Sequence, residues 1–392
     1  MPYRKFQADY LFTGTEFLSK TSILITDEEG KILNIINDKD AGEGVETNSG
    51  ILSPGFINTH CHLELSHLKD RIPKKSGLTN FVYNVVTGRH SHEEEIVSGI
   101  ANAVKEMIEN GIVAVGDICN NDLAISVKNK AQLQYYNFIE VSGWNPSIAS
   151  ARFEHSKSVY DKYISKGQKT SMVPHAPYSV SPPLWEKITP YFSGKIVTIH
   201  NQETISEDEF FLKGSGKLLS MYTMMEIDNS FFQCPGTSSL QSYYEKLSSA
   251  SSVILVHNTF IKQDDLDYIC KTKNKTQLVS FCLCPNANLY IEDKLPPLEM
   301  LADNKVDIVI GTDSLASNHQ LDILEELKTI SKRMPSLKTD TMLRWATLNG
   351  AKALQMDNII GSFEKGKQPG VVLIENIAGD RFTDTSKAKR LL

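Results

Sequence analysis

Residues 56–68 read FINTHCHLELSHL. A short apolar run, Phe56 and Ile57, leads into His60-Cys61-His62, and His67 follows close behind. In an extended strand, residues i and i+2 point to the same side. His60 and His62 can therefore face one ion while Cys61 points the other way. Alone, such a pair is more often plain polar surface at a strand end. The rest of the chain supplies what the pair lacks.

From Gly55 onward, short apolar runs alternate with longer stretches of helical period. The runs are Phe56–Thr59, Val113–Asp117, Leu133–Val141, Ser171–Pro174, Ile196–Ile199, Val253–Val256, Leu278–Cys282 and Ile308–Gly311. Between them lie amphipathic segments such as EEEIVSGIANAVKEMIENG, with Ser91 as its expected cap and Gly111 at its end. Eight apolar strands alternating with helices predict an α/β fold, a closed (β/α)8 barrel of TIM type. No glycine-rich phosphate loop follows any strand, which weighs against an open nucleotide-binding sheet. The first 50 residues differ in texture: SILITDEEGKILNIIN reads as two strands joined at Glu29-Gly30. The tail IGSFEKGKQPGVVLIEN resembles them. The expected organisation is a catalytic barrel over 55–357 and a small composite β-sandwich domain made of 1–54 and 358–392.

In such a barrel, function collects at the C-terminal ends of the strands. Five of the ten histidines fall there: His60, His62, His175, His200 and His257. Asp313 ends the eighth run, and Asp117, Cys119 and Glu140 end the second and third. His60, His62, His200 and Asp313 make a set of three nitrogens and one oxygen, suited to zinc or to ferrous iron. The fourth run ends in VPHAPYS, without a lysine that could be carboxylated to bridge two metals, so one divalent ion is expected. Each residue has a plainer rival reading. Asp313 could cap a helix, Glu203 could be a solvated loop acid, and His257 a satisfied core histidine.

These residues resemble the amidohydrolase superfamily, in its branch of cytosine deaminases, chlorohydrolases and adenosine-type deaminases. The resemblance runs nearly end to end through PGFINTHCH, HAPYSVS, HNQE, LVHN, CPNAN, GTDSLASN, and LNGAKAL followed by IGSFEKGK. It implies a one-metal barrel with His60, His62, His200 and Asp313 as ligands, and Glu203 and His257 as the proton-handling pair. The chemistry agrees. Glu203 lies three residues past His200 and can stand beside an ion without ligating it, ready to move protons, while His257 can stabilise charge. Asp313 can both ligate and take a proton from water. One departure is Pro369-Gly370, where relatives usually carry Ala-Asp; it falls in the small domain.

HLELSHL is also similar to the same place in bacterial aminodeoxyfutalosine deaminases. That makes Glu64 a candidate acceptor for a ribose or ring amine, and His175 a candidate substrate hydrogen-bonder. Arg89 and Arg152 are candidates for an anionic substrate group. Half of the aromatic and methionine side chains in the stretch 204–233 are expected in the core and the rest over the ligand as an apolar lid. His67, His90, His92, His155 and His319 are expected at the surface or behind the site. The function expected is metal-dependent hydrolytic deamination of a purine-type ring, best read as aminodeoxyfutalosine or another 5'-substituted adenosine. The rivals are another aminated or halogenated ring (guanine, cytosine, pterin, triazine) or a non-catalytic metal-binding barrel.

A net charge of −6 argues against nucleic acid or an anionic membrane as partner. No apolar stretch reaches membrane-spanning length, and MPYRKFQADYLFTG lacks a signal-peptide core. Six cysteines in a chain this long do not suggest a disulfide scaffold, so reduced thiols are expected, and the lack of a CxxC pair argues against a structural zinc knuckle. The expectation is a cytoplasmic enzyme with a small-molecule partner; self-association is left open.

Overall fold

A computed structural model of the protein describes residues 3–392. Seven short strands come first: β1 Tyr3–Gln7, β2 Tyr10–Phe12, β3 Phe17–Leu18, β4 Ser22–Asp27, β5 Ile32–Asn37, β6 Val45–Thr47 and β7 Ile51–Pro54. Eight longer-spaced strands follow: β8 Phe56–Cys61, β9 Ile112–Cys119, β10 Gln134–Val141, β11 Thr170–Pro174, β12 Ile196–Asn201, β13 Ser252–His257, β14 Leu278–Leu283 and β15 Asp307–Ile310. Last come β16 Val371–Glu375 and β17 Lys387–Arg390.

Every one of the eight apolar runs is a strand, and helices separate most of them. They are near-continuously apolar because both faces are buried; all six residues of β13, SVILVH, are covered. The ladders form two four-stranded parallel sheets, β11-β10-β9-β8 and β12-β13-β14-β15. The sequence predicts one closed ring, so this is a difference. At the seams a few bonds replace a ladder. The His200 N–H donates to His175 O at 2.9 Å, and the Thr312 and Asp313 N–H groups donate to His60 O at 3.2 and 3.1 Å. The register of β8 against β9 also shifts twice, between Phe56 and Ile57 and between Asn58 and Cys61.

The remaining strands make two peripheral sheets, β5-β4-β1-β6 and β17-β16-β7-β2-β3. β4 and β5 pair antiparallel, as SILITDEEGKILNIIN predicts. β16 pairs with β7, and β7 with β2, so the tail reaches the first 50 residues through Ile51–Pro54. The helix Glu93–Glu109 is capped by His92, not Ser91, and neither supplies the side-chain bond a cap usually makes. Gly111 follows its end at φ 81°, a left-handed conformation that glycine takes without strain. Among the described residues, no helix is long and apolar enough to cross a membrane. All six cysteines are free.

Candidate active site

Strand ends carry the site. β8 stops at Cys61, and His62 lies one residue beyond it, yet the alternation persists: His60 Nε2 and His62 Nε2 are 3.2 Å apart. His62 Nε2 is 3.3 Å from His200 Nε2 at the end of β12. Asp313 Oδ1 lies 3.5 Å from His60 Nε2 and 3.4 Å from His62 Nε2. These donor atoms gather at one end of the strands, with the His60, His62 and His200 nitrogens within 4.8 Å of one another. Donors held at 2.0–2.1 Å around a tetrahedral ion stand about 3.3–3.4 Å from one another. The spacings among His60, His62 and Asp313 and between His62 and His200 are of that size, and the donor set suits a divalent cation. His200 Nδ1–H donates to His175 O at 2.8 Å, which fixes the tautomer and turns the Nε2 lone pair inward. Burial holds both His62 and His200 below the usual imidazole pKa, so both are neutral donors near pH 7.

Asp313 caps no helix; the next one, Ile323–Arg333, is capped by Asp322. Burial alone would raise the Asp313 carboxyl, but the His60 bond and the other histidines outweigh it and hold it well below the usual range. Ser317 Oγ donates to its other oxygen at 2.5 Å. Gly311 allows this approach, because a Cβ there would sit 2.9 Å from His60 O and from Cys282 Sγ. Asp313, His257 and Asn258 all have positive φ, 57°, 72° and 58°. Left-handed backbone at three non-glycine residues is strain stored at a functional site.

Glu203 is buried beside the cluster, with Oε1 3.5 Å from His257 Nε2. Burial, with Asp313, Glu207 and Glu292 nearby, pushes its pKa well above the usual carboxyl range. Its backbone N–H donates to Glu207 Oε1 at 2.8 Å, and the Gln202 N–H donates to Glu207 Oε2 at 3.1 Å. Glu207, itself pushed up to about 8 by burial, pins the turn that aims Glu203. Burial lowers His257 to about 3, leaving a neutral imidazole. The solvated-acid reading of Glu203 is thereby removed.

The stretch after His62 forms a buried 3₁₀ segment, Leu63–Leu68. Glu64 lies in it and accepts from Asn120 N, Asn120 Nδ2 and Asn121 Nδ2, each at 2.9 Å. Burial raises its pKa to about 7, against the pull of the Asn120 bonds. His67 has left the strand, but it is buried rather than on the surface: its ring nitrogens meet Glu64 O and Arg89 O at 3.0 and 3.2 Å. The segment is anchored by a buried ion pair. Lys128 Nζ lies 2.5 Å from Asp117 Oδ2, and Asp117 Oδ1 accepts the Leu63 N–H at 2.9 Å. Lys128→Met leaves Asp117 buried and unpaired; it is expected to cost about 3–5 kcal/mol, read as a lower denaturant midpoint.

These groups open on a cavity of about 410 Å³, the size of a small-molecule site. His62, His200, Glu203, His257 and Asp313 line its floor, and His60 lies fully buried behind them. Glu64, His175, Arg89 and Arg152 all line it too. His175 Nδ1 pairs with Ser179 Oγ at 2.9 Å. His90, His92, His155 and His319 are exposed. Of the stretch 204–233, Phe210, Phe211, Met221 and Tyr222 are buried, and Met221, Tyr222 and Met225 face the cavity. Trp144 stacks on Tyr222 at 5.4 Å and 2°, and its Nε1–H holds Asn229 Oδ1 at 2.6 Å. That wall includes residues the sequence reading missed, Trp144 and, packed in the same cluster, Leu78, Phe81 and Val85 of the helix Leu78–Gly88.

Metal-assisted hydrolysis is the chemistry such a floor can run. Residues 51–388 match the amidohydrolase family, and the chain belongs to that family. It is 25% identical over 369 residues to a 5-methylthioadenosine/S-adenosylhomocysteine deaminase of Saccharophagus degradans, covering 88% of this chain and 77% of that protein. Its fold is that of the aminofutalosine deaminase of Helicobacter pylori solved with methylthio-coformycin, with TM-score 0.81, 21% identity, and 99% of this chain and 100% of that one covered. An adenosine deaminase from Xanthomonas campestris with bound zinc superposes at TM-score 0.70, 22% identical over 95% of this chain and 84% of that one.

Proposed function

We propose that this protein is a hydrolytic deaminase of 5'-substituted adenosines, with aminodeoxyfutalosine as the best candidate. The observation that carries the reading is Glu203: a buried carboxyl group beside the histidine cluster, 3.5 Å from His257 Nε2, facing a cavity walled by aromatic side chains. Relatives named as adenosine, 5'-deoxyadenosine and 5-methylthioadenosine deaminases support the substrate class. His60, His62, His200 and Asp313 would hold the ion, and the zinc in the Xanthomonas campestris relative favours zinc. When bound, such a cation acidifies water and so supplies the nucleophile at neutral pH.

The chain's own residues do the rest. Glu203 gives its proton to the ring nitrogen next to the amino-bearing carbon, which makes that carbon electrophilic. It then accepts a proton from the attacking water and passes it to the amine, which leaves as ammonia. Collapse of the remaining hydroxyl to the carbonyl returns a proton to Glu203, with Asp313 as relay. Neutral His257 hydrogen-bonds the developing charge. His175 holds the ring, and Arg89 and Arg152 at the outer cavity receive an anionic 5'-substituent. The small sheets of 1–54 and 358–392 form a domain of their own, and the two half-sheets of 55–357 work as one barrel mouth. The seam bonds at His60 and His175 support that unity.

Zinc-loaded protein is expected to release ammonia from adenosine, 5'-methylthioadenosine and aminodeoxyfutalosine, and not from guanine, cytosine or a triazine. A coupled ammonia assay reads this. Turnover of guanine with none of any adenosine would sink the proposal.

A further inference from the structure

Two carboxylates, Glu64 and Glu140, share the cavity wall beside the histidine cluster, and Asn120 Nδ2 bridges them at 2.9 and 3.1 Å. They are not equivalent. Glu64 already accepts three protein N–H groups, which leaves it little capacity for a ligand. Glu140, near the end of β10 and 8% exposed, accepts from Asn120 alone. Its Oε1 has no hydrogen-bond partner. A buried carboxylate oxygen without a donor is costly, so such a group points to a donor that the protein does not provide. The donor is not a second cation shared with His175 and His200, although those two lie close by. His200 Nδ1, 3.9 Å from Glu140 Oε1, spends its proton on His175 O and has no lone pair to offer.

We propose that Glu140 is the acceptor for the sugar hydroxyls of the substrate, and that it sets a preference for ribose over deoxyribose. The inference rests on the adenosine-deaminase reading. A vicinal diol presents two O–H donors to the two oxygens of one carboxylate. The assignment also corrects the expectation for Glu64. Glu64 becomes a positioning residue that holds the Asn120 loop against Glu140, and the anionic end of a substrate must lie away from both.

The test compares wild type and Glu140→Gln on adenosine and 2',3'-dideoxyadenosine, with zinc content measured in each. A site built to bond a hydroxyl rejects the analogue lacking it by up to about 10⁴-fold. Wild type is expected to prefer adenosine in kcat/KM by about 10²-fold or more, and Glu140→Gln to shrink that ratio at least about ten-fold with zinc retained. Equal losses on both substrates overturn the proposal and make Glu140 a support for His200. Absence of any preference in wild type overturns it without a variant. Calorimetric binding of the same two nucleosides gives the comparison independently of turnover. Selective binding without ammonia release overturns the deaminase reading and leaves the ribose site standing; no binding of either nucleoside overturns both.

Discussion

Replacing Glu203 with glutamine is expected to cut ammonia release about 10³-fold or more while leaving bound metal in place. Glutamine has the same shape and keeps the backbone bond from residue 203 to Glu207 Oε1. It cannot give up a proton as an acid. The carboxyl is buried among Asp313, Glu207 and Glu292, which raises its pKa and favours the protonated form. That is the state the first step needs, and the anion formed afterwards is the state the second needs. KM should change little, because the amide still fills the same space. Steady-state kinetics and metal content by mass spectrometry on one sample check both halves. A kcat within ten-fold of wild type would move the proton work to another group. Loss of metal would make Glu203 part of the ion's shell.

The residues legible in the sequence are those whose placement follows from strand periodicity. His60 and His62 face one point because alternation along a strand is local geometry. His200, His257 and Asp313 follow because each stands where an apolar run stops, and parallel strands bring such ends together. The acid at Glu203 follows from its three-residue offset from His200. None of this needed knowledge of which loops touch.

What the sequence hid depends on contacts between distant loops. Glu64 reads as a candidate acceptor for substrate in HLELSHL, and only the fold shows that Asn120 and Asn121, more than fifty residues on, donate three hydrogen bonds to it. Glu140 reads as another strand-end acid, and only the lack of a protein donor at its Oε1 marks it out. Trp144 gains its meaning from Tyr222 and Asn229, on a segment beyond the next two strands. The helix Leu78–Gly88 begins at Gly77 without a side-chain cap, so no local signal announces the wall it makes. His67 was legible as a residue outside the ligand set, but its burial against Glu64 O and Arg89 O was not. The seams between the two half-sheets are equally non-local, being a handful of bonds between residues over a hundred apart along the chain at one of them.

Asp313→Asn is expected to abolish metal retention and to lower activity about 10⁴-fold, equivalent to roughly 5 kcal/mol of barrier. The cluster offers three imidazoles and one carboxylate, and an imidazole brings no negative charge, so Asp313 supplies all of it. Asparagine keeps the shape, and Ser317 Oγ can still bond the side-chain oxygen it now meets at 2.5 Å. The substitution therefore isolates charge from geometry. Ligand binding stabilises the folded state in proportion to its affinity, by about 4 kcal/mol when the ligand stands at a thousand times its Kd. Wild type should accordingly melt higher with added zinc and lower after chelation, and Asp313→Asn should melt at one temperature in both conditions. Calorimetry with and without zinc reads this directly. If the variant kept one zinc per chain and near-normal turnover, the histidines alone would hold the ion, and Asp313 would be left with only the proton relay.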